Sequence, residues 1–247
     1  MIPLRDDNPT RRRPIVTIAL IAACVAVFAY ELVVQSTDGD PALERLFRAS
    51  GLVPSHLTDA LNGGSRGDVP GTIASIFSSM FLHGGWIHLI GNMLYLWIFG
   101  NNIEDRFGRV PFLAFYLFGG VVAAVSQVLI SPDSRQPVVG ASGAIAAVLG
   151  AYVVLFPRAR VLSLVFLGFF YQLLRVPAIL VLGFWFVLQL IDGVASLGVA
   201  SSSGGVAIFA HIGGFLAGVA VGVVVRTLGS GPGRRLSSGS PVGFGVG

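Results

Sequence analysis

Apolar runs separated by short polar stretches dominate the chain, and their lengths predict membrane-spanning helices. A crossing takes about 20 mostly apolar residues. Such runs lie at residues 14–35, 89–99 (extended upstream by 80–88), 110–130, 141–156, 177–191 and 206–225. The pattern predicts an all-α membrane protein with a six-helix bundle over 14–228. Residues 161–174 are also apolar, but 14 residues are short for a crossing, which favours an interfacial or re-entrant segment. The longest connection, 36–79, carries apolar pieces at 43–47 and 73–81 and is expected against the membrane surface. Residues 1–13 read as a short inner segment. The Gly/Ser/Pro-rich stretch 229–247 reads as a disordered tail.

Composition fits this layout. Hydrophobic residues make up 54% and charged residues 11%, against about 25% charged in soluble domains. That excludes a disordered chain, a nucleic-acid module and an ordinary soluble enzyme. The single cysteine, Cys24, excludes a disulfide framework and a cysteine-based zinc site. Ile21-Ala22-Ala23-Cys24 looks like a lipoprotein cleavage site. The residues that follow stay mostly apolar to 34, so the first run is read as a retained helix.

The net charge of +4 gains meaning only by position. With six spans and the N-terminus inside, twelve of the 16 basic residues, all arginines, fall on the inner side and four (Arg45, Arg48, Arg66, Arg135) on the outer side. This positive-inside bias places both termini on the arginine-rich side. Arginine without lysine suggests a GC-rich bacterial genome and an inner membrane.

Polar residues inside spans are costly and point to function. They cluster in three places: His83-Gly-Gly-Trp-Ile-His88-Leu-Ile-Gly-Asn92, Gly140-Ala-Ser142-Gly143, and Ala210-His211-Ile-Gly-Gly214-Phe-Leu-Ala-Gly218. Counted from Arg158, Arg226 and Glu104 at about 1.5 Å per residue, Ser142, His211 and His88 all lie roughly 22–24 Å above the inner charges. Three spans therefore bring polar groups to one depth. The run from Ser142 to Phe156 is too short to cross, so its N-terminus starts inside the membrane and 131–141 must dip to meet it. Irregular backbone at that depth lies against protein or in a water-filled cavity. Ser142, Ala146 and Gly150 share a spacing of four with Gly214, Gly218 and Gly222, and such small-residue faces let two helices approach closely. That contact would bring Ser142 to His211.

A serine hydroxyl needs an adjacent base, and histidine is the usual one. Preorganised donors for an oxyanion are available from the Ser142 amide at a helix start and from His88 and Asn92, spaced i, i+4 on one face. His83 stands at the helix entrance, where it would hold the loop or cavity waters.

These motifs, in this order and on this layout, resemble the rhomboid intramembrane serine proteases over roughly 15–226. The resemblance implies Ser142 as nucleophile, His211 as general base and His88, Asn92 and the Ser142 amide as the oxyanion hole. It implies transmembrane segments of other proteins as substrates, a lipid bilayer as setting, no cofactor and no metal. Glu104-Asp-Arg106 is similar to the family's inner Glu-x-Arg, which ties the second and third spans. Asp192 at the end of the fifth span reads as a surface residue rather than a third triad member. Two departures stand out. Ala146 replaces an aromatic residue that often stacks on the base, and 36–79 holds no Trp-Arg pair. Each residue alone has a plainer reading: Ser142 as a helix cap, His88 and Asn92 as interhelical polar contacts, and the histidines as a three-His metal site. Rival functions are an inert client-binding relative, a small transporter or proton channel using His88 and His211, and acyl transfer on a lipid.

Overall fold

The computed structural model describes residues 1–64, 68–167, 170–196 and 207–229. Strand β1 (Ile2–Asp6) precedes helix α1 (Ile15–Asp38), then α2 (Asp40–Ser50), α3 (Pro54–Leu61), α4 (Val69–Ser78), α5 (Trp86–Tyr95), α6 (Asn101–Phe107), α7 (Arg109–Ile130) and α8 (Ser142–Leu155). Strands β2 (Arg160–Leu167) and β3 (Phe170–Pro177) follow, then α9 (Ala178–Ser196) and α10 (Ile208–Gly229).

Helices occupy all six positions where the apolar runs predicted them. Helices α1, α7 and α10 are long and apolar enough to cross a membrane. Helices α5 and α6 join through one π-helical turn, Leu96–Gly100, into a single rod. Helices α8 and α9 are apolar but shorter. The second span does not extend upstream to Met80 as expected: the chain bends by 83° between the segment Val69–Phe81 and the rod that starts at Trp86. Gly84 and Gly85 occupy this break, where a helix is most easily interrupted.

Helix α8 is the hub. Gly143 through Tyr152 are all buried, as expected for a helix that is apolar all round. Helices α7 and α10 pack on it. Gly150, Gly214 and Gly218 are needed there, because a Cβ on Gly150 would overlap the Phe215 carbonyl, one on Gly214 the Gly143 carbonyl, and one on Gly218 the Ala147 carbonyl. The small-residue faces read from the sequence therefore meet backbone to backbone. Gly108, at φ 86°, makes the sharp corner between α6 and α7: its N–H closes α6 on the Glu104 carbonyl and its carbonyl accepts from Phe112.

Two connections carry secondary structure of their own. The loop 36–79 is largely helical. Leu52, Leu57 and Ile76 from it form a small core with Met80 and Ala124 of α7. Strands β2 and β3, which carry the apolar segment expected to be interfacial or re-entrant, pair antiparallel, and β1 adds to them in the order β1-β2-β3. The hairpin pairs its own backbone groups, which a short non-helical segment near lipid must do. The inner segment 1–13 thus contains a strand. The tail 230–247 lies outside the described residues, as do Arg66 and the side chain of Asp192.

Candidate functional site

Ser142 is the first residue of α8. The preceding position, Ala141, makes no side-chain cap, and Ser142 Oγ points instead at His211. The plain helix-cap reading fails on that geometry. The segment 131–141 reaches this depth with its backbone held by protein. Leu52 and Val138 exchange two hydrogen bonds, Ser55 N–H donates to the Ser134 carbonyl, and Gly140 N–H donates to the Ser79 carbonyl at 2.8 Å.

His211 sits one turn into α10 and is buried. Its Nε2 lies 2.6 Å from Ser142 Oγ. A hydroxyl hydrogen-bonded to an imidazole is the arrangement that activates a nucleophile. The indole of Trp185 on α9 lies 5.8 Å from the His211 ring, centroid to centroid, with the planes tilted by 42°.

His88 and Asn92 rise from α5 on the opposite wall. Gly84 N–H approaches His88 Nδ1 at 3.4 Å. Nδ1 then acts as acceptor, so the ring proton is on Nε2. That Nε2 faces Gly140, where a Cβ would stand 2.7 Å from it and 3.6 Å from Ser142 Oγ. Gly140 has φ 125°, a conformation that disfavours side chains, and its bare Cα leaves the gap between His88 and the serine open. Asn92 is buried, and its Nδ2 has no hydrogen-bond partner in the protein. A cavity of about 640 Å³ is lined by Ser142, His211, His88, Asn92, Gln127 and Trp185, among others. Two ring or amide N–H donors and a hydroxyl–imidazole pair thus converge on one space.

His83 does not line that cavity. It is buried behind it, with its ring 5.2 Å from His88 and its Nδ1 3.1 Å from the Phe81 carbonyl. Its backbone N–H donates to Glu31 Oε1 at 3.0 Å. His83 therefore anchors the bend before α5 from inside and does not touch the cavity. Glu31, a buried carboxylate in the first span, was missed by the sequence reading. It is the one acidic residue in that apolar run, and this was the available signal.

Glu104 is also placed differently from expectation. It accepts from Val16 N–H, Thr17 N–H and the Thr17 hydroxyl at 2.8–3.0 Å, and so caps the start of α1, which has no side-chain cap of its own. The contact ties the second helix to the first, not to the third. Arg106 is exposed and forms no ion pair among the described residues. Asp105 continues the grip by accepting from Arg11 and Arg12 N–H.

Below the site, Asp6 Oδ2 accepts from Tyr152 of α8 at 2.8 Å and from Asn102 at 2.7 Å, and Asn8 donates to the Tyr152 hydroxyl. Burial pushes the Asp6 carboxyl above the usual carboxylate range, and these hydrogen bonds pull against it. Among the described residues no group of three His, Cys, Asp or Glu side chains is placed to hold a metal ion, so the three-His reading has no geometry behind it.

Comparison with known proteins gives one family. The family model of the Rhomboid domain matches residues 70–228. Over 84 residues the chain is 43% identical to the Presenilin-associated rhomboid-like protein A, mitochondrial, of Danio rerio, covering 33% of this chain and 22% of that protein. It is 35% identical over 96 residues to Rhomboid protein 1, mitochondrial, of Saccharomyces cerevisiae, covering 37% and 28%. It is 36% identical over 76 residues to RHOMBOID-like protein 5 of Arabidopsis thaliana, covering 31% and 25%. The chain thus spans about a quarter of the length of these relatives. Two of the names place their proteins in mitochondria, and none supports the bacterial inner membrane suggested by composition.

Proposed function

The chain belongs to the rhomboid family, and from that premise we propose that it is an intramembrane serine endopeptidase acting on transmembrane segments of other membrane proteins. The observation that carries the reading is the 2.6 Å contact between His211 Nε2 and Ser142 Oγ at a cavity walled by apolar helices.

Ser142 Oγ attacks the scissile carbonyl carbon as His211 Nε2 takes the hydroxyl proton. The carbonyl oxygen becomes an oxyanion facing His88 Nε2–H, Asn92 Nδ2 and the Ser142 amide at the head of α8. Collapse breaks the C–N bond, and His211 returns its proton to the leaving amine. A cavity water then gives a proton to His211 and attacks the acyl-serine, which releases the acid and restores the hydroxyl. Gly140 keeps the gap between His88 and the serine open, and Gly143 lets Ala123 of α7 pack closely on the start of α8. Gly214 and Gly218 hold α10 against α8, and His83 holds the bend before α5. The arginine-rich side carries both termini. This is supported by β1 pairing with the hairpin after α8, and by Arg226 of α10 donating to the Val154 carbonyl near the same end.

A fluorophosphonate probe tests the proposal without knowledge of a substrate. Labelling of the detergent-purified protein that disappears in Ser142→Ala and in His211→Ala supports it. A folded protein that resists labelling, or that labels equally in Ser142→Ala, overturns it. A transmembrane peptide reconstituted in liposomes then tests cleavage directly.

A further inference from the structure

We propose that the β-hairpin formed by β2 and β3 is an interfacial anchor that lies in the anionic headgroup layer on the arginine-rich side of the membrane and holds the root of α9 there.

The three-stranded sheet has two unlike faces. Val161, Ser163, Pro3 and Asp6 point inward and are buried against the bundle. Cross-strand partners share a face, so the pairs Leu162–Arg175, Leu164–Leu173 and Phe166–Tyr171 form the outward one, with Ile2 and Arg5 of β1 opposite Leu164 and Leu162. Toward the tip this face is apolar and open: Tyr171 is 71% exposed and Leu173 58%. Phe170 on the other face is 77% exposed as well. An exposed aromatic cluster of this kind on a soluble surface would favour association. At a membrane boundary it is the usual anchor.

Charge and continuity select the lipid as occupant. Residues 160–191 contain no acidic residue; Asp7, just after β1, pairs with Arg175 at 3.6 Å, and the Arg175 side chain stays 62% exposed beside it. Arg5 and Arg175 flank Leu162 in one row, about 13 Å from the Phe166–Tyr171 pair at 3.3 Å per residue. Basic side chains beside an aromatic tip suit anionic headgroups over acyl chains. β3 then runs directly into α9 at Ala178 without a polar linker, and α9 continues the exposed apolar surface through Ile179, Leu180 and Phe184. A second copy fits less well. A two-fold contact through this face sets the same patch against itself and brings the Arg5–Arg175 rows of both copies together. Since α9 also carries Trp185 onto His211, the anchor fixes the inner end of the helix that supports the base.

The test uses the full chain in vesicles of mixed zwitterionic and anionic lipid. An environment-sensitive fluorophore is placed by Phe170→Cys or, independently, Tyr171→Cys, with Thr10→Cys as a water reference and Leu180→Cys as a lipid reference. Buried Cys24 is the background, read from the unsubstituted protein. The expected result is quenching by lipids bearing a nitroxide near the headgroup and protection from aqueous iodide relative to Thr10→Cys. Arg5→Gln with Arg175→Gln should weaken the lipid quenching several-fold, with the unfolding temperature unchanged. Two results overturn the proposal: a label at 170 or 171 that follows Thr10→Cys toward iodide, or protection from both quenchers with energy transfer between differently labelled copies.

Discussion

Trp185 of α9 packs against His211 of α10, with the ring centroids 5.8 Å apart and the planes inclined by 42°. The proposed base is therefore steadied by a neighbouring helix, in a protein whose serine helix offers only the methyl group of Ala146 at the position that often carries an aromatic ring. A contact of this type contributes about 0.5–1.5 kcal/mol. Trp185→Ala should slow fluorophosphonate labelling of Ser142 by roughly three- to ten-fold, and Trp185→Phe should restore most of it. Equal labelling rates in all three proteins would remove Trp185 from the site.

Asn92 carries a buried amide nitrogen with no protein partner, directed at the cavity. In the proposed mechanism it is an oxyanion donor, which acts only in the transition state. Asn92→Ala should lower kcat by about 10²–10³-fold with KM little changed, measured on a transmembrane peptide in liposomes. A change confined to KM would assign it to substrate binding instead.

The cap on α1 comes from Glu104 alone. Glu104→Ala strands two backbone N–H groups and a hydroxyl and should cost about 3 kcal/mol or more. Arg106→Ala should stay within about 0.5 kcal/mol, as exposed positions do. Thermal unfolding of the two variants in one detergent checks both. A larger loss at Arg106 would restore the pairing between the second and third spans.

Asp6 provides a pH test. Its folded carboxyl is raised by burial, so its favourable contribution belongs to the protonated form, complete below the unfolded value and lost as pH rises through the folded one. Asn at this site keeps an acceptor for Tyr152 and Asn102 and carries no charge. Asp6→Asn should therefore release its N-terminal strand to protease more slowly than wild type at neutral pH, with the difference fading in acid. The opposite pH trend would show that the ionised form is the better bonded one.

The helices and the serine–histidine contact were legible because each left a one-dimensional trace: apolar runs of spanning length, a shared polar depth, and small residues every fourth position on two helices. The hairpin left no such trace. Both faces of β2 carry apolar residues, so the strand period is hidden, and β1 joins it from more than 150 residues away. Trp185 escaped for a similar reason, being one aromatic among many in an apolar helix. Glu104 was recognised as structural but assigned the wrong neighbour, because its partners are backbone amides that have no sequence signature.

The glycine contacts between α8 and α10 make the spacing of Ser142 and His211 a property of the main chain. Carbonyl oxygens of one helix rest where side chains of the other would be, so little flexible matter lies between them. The two helices move as one stiff piece when the bilayer thins, thickens or tilts the protein, and the hydroxyl–imidazole alignment moves with them unchanged. Modulation of such a protein by its lipid surroundings must therefore act at the perimeter of that piece, on who reaches the serine, and leave the readiness of the serine alone.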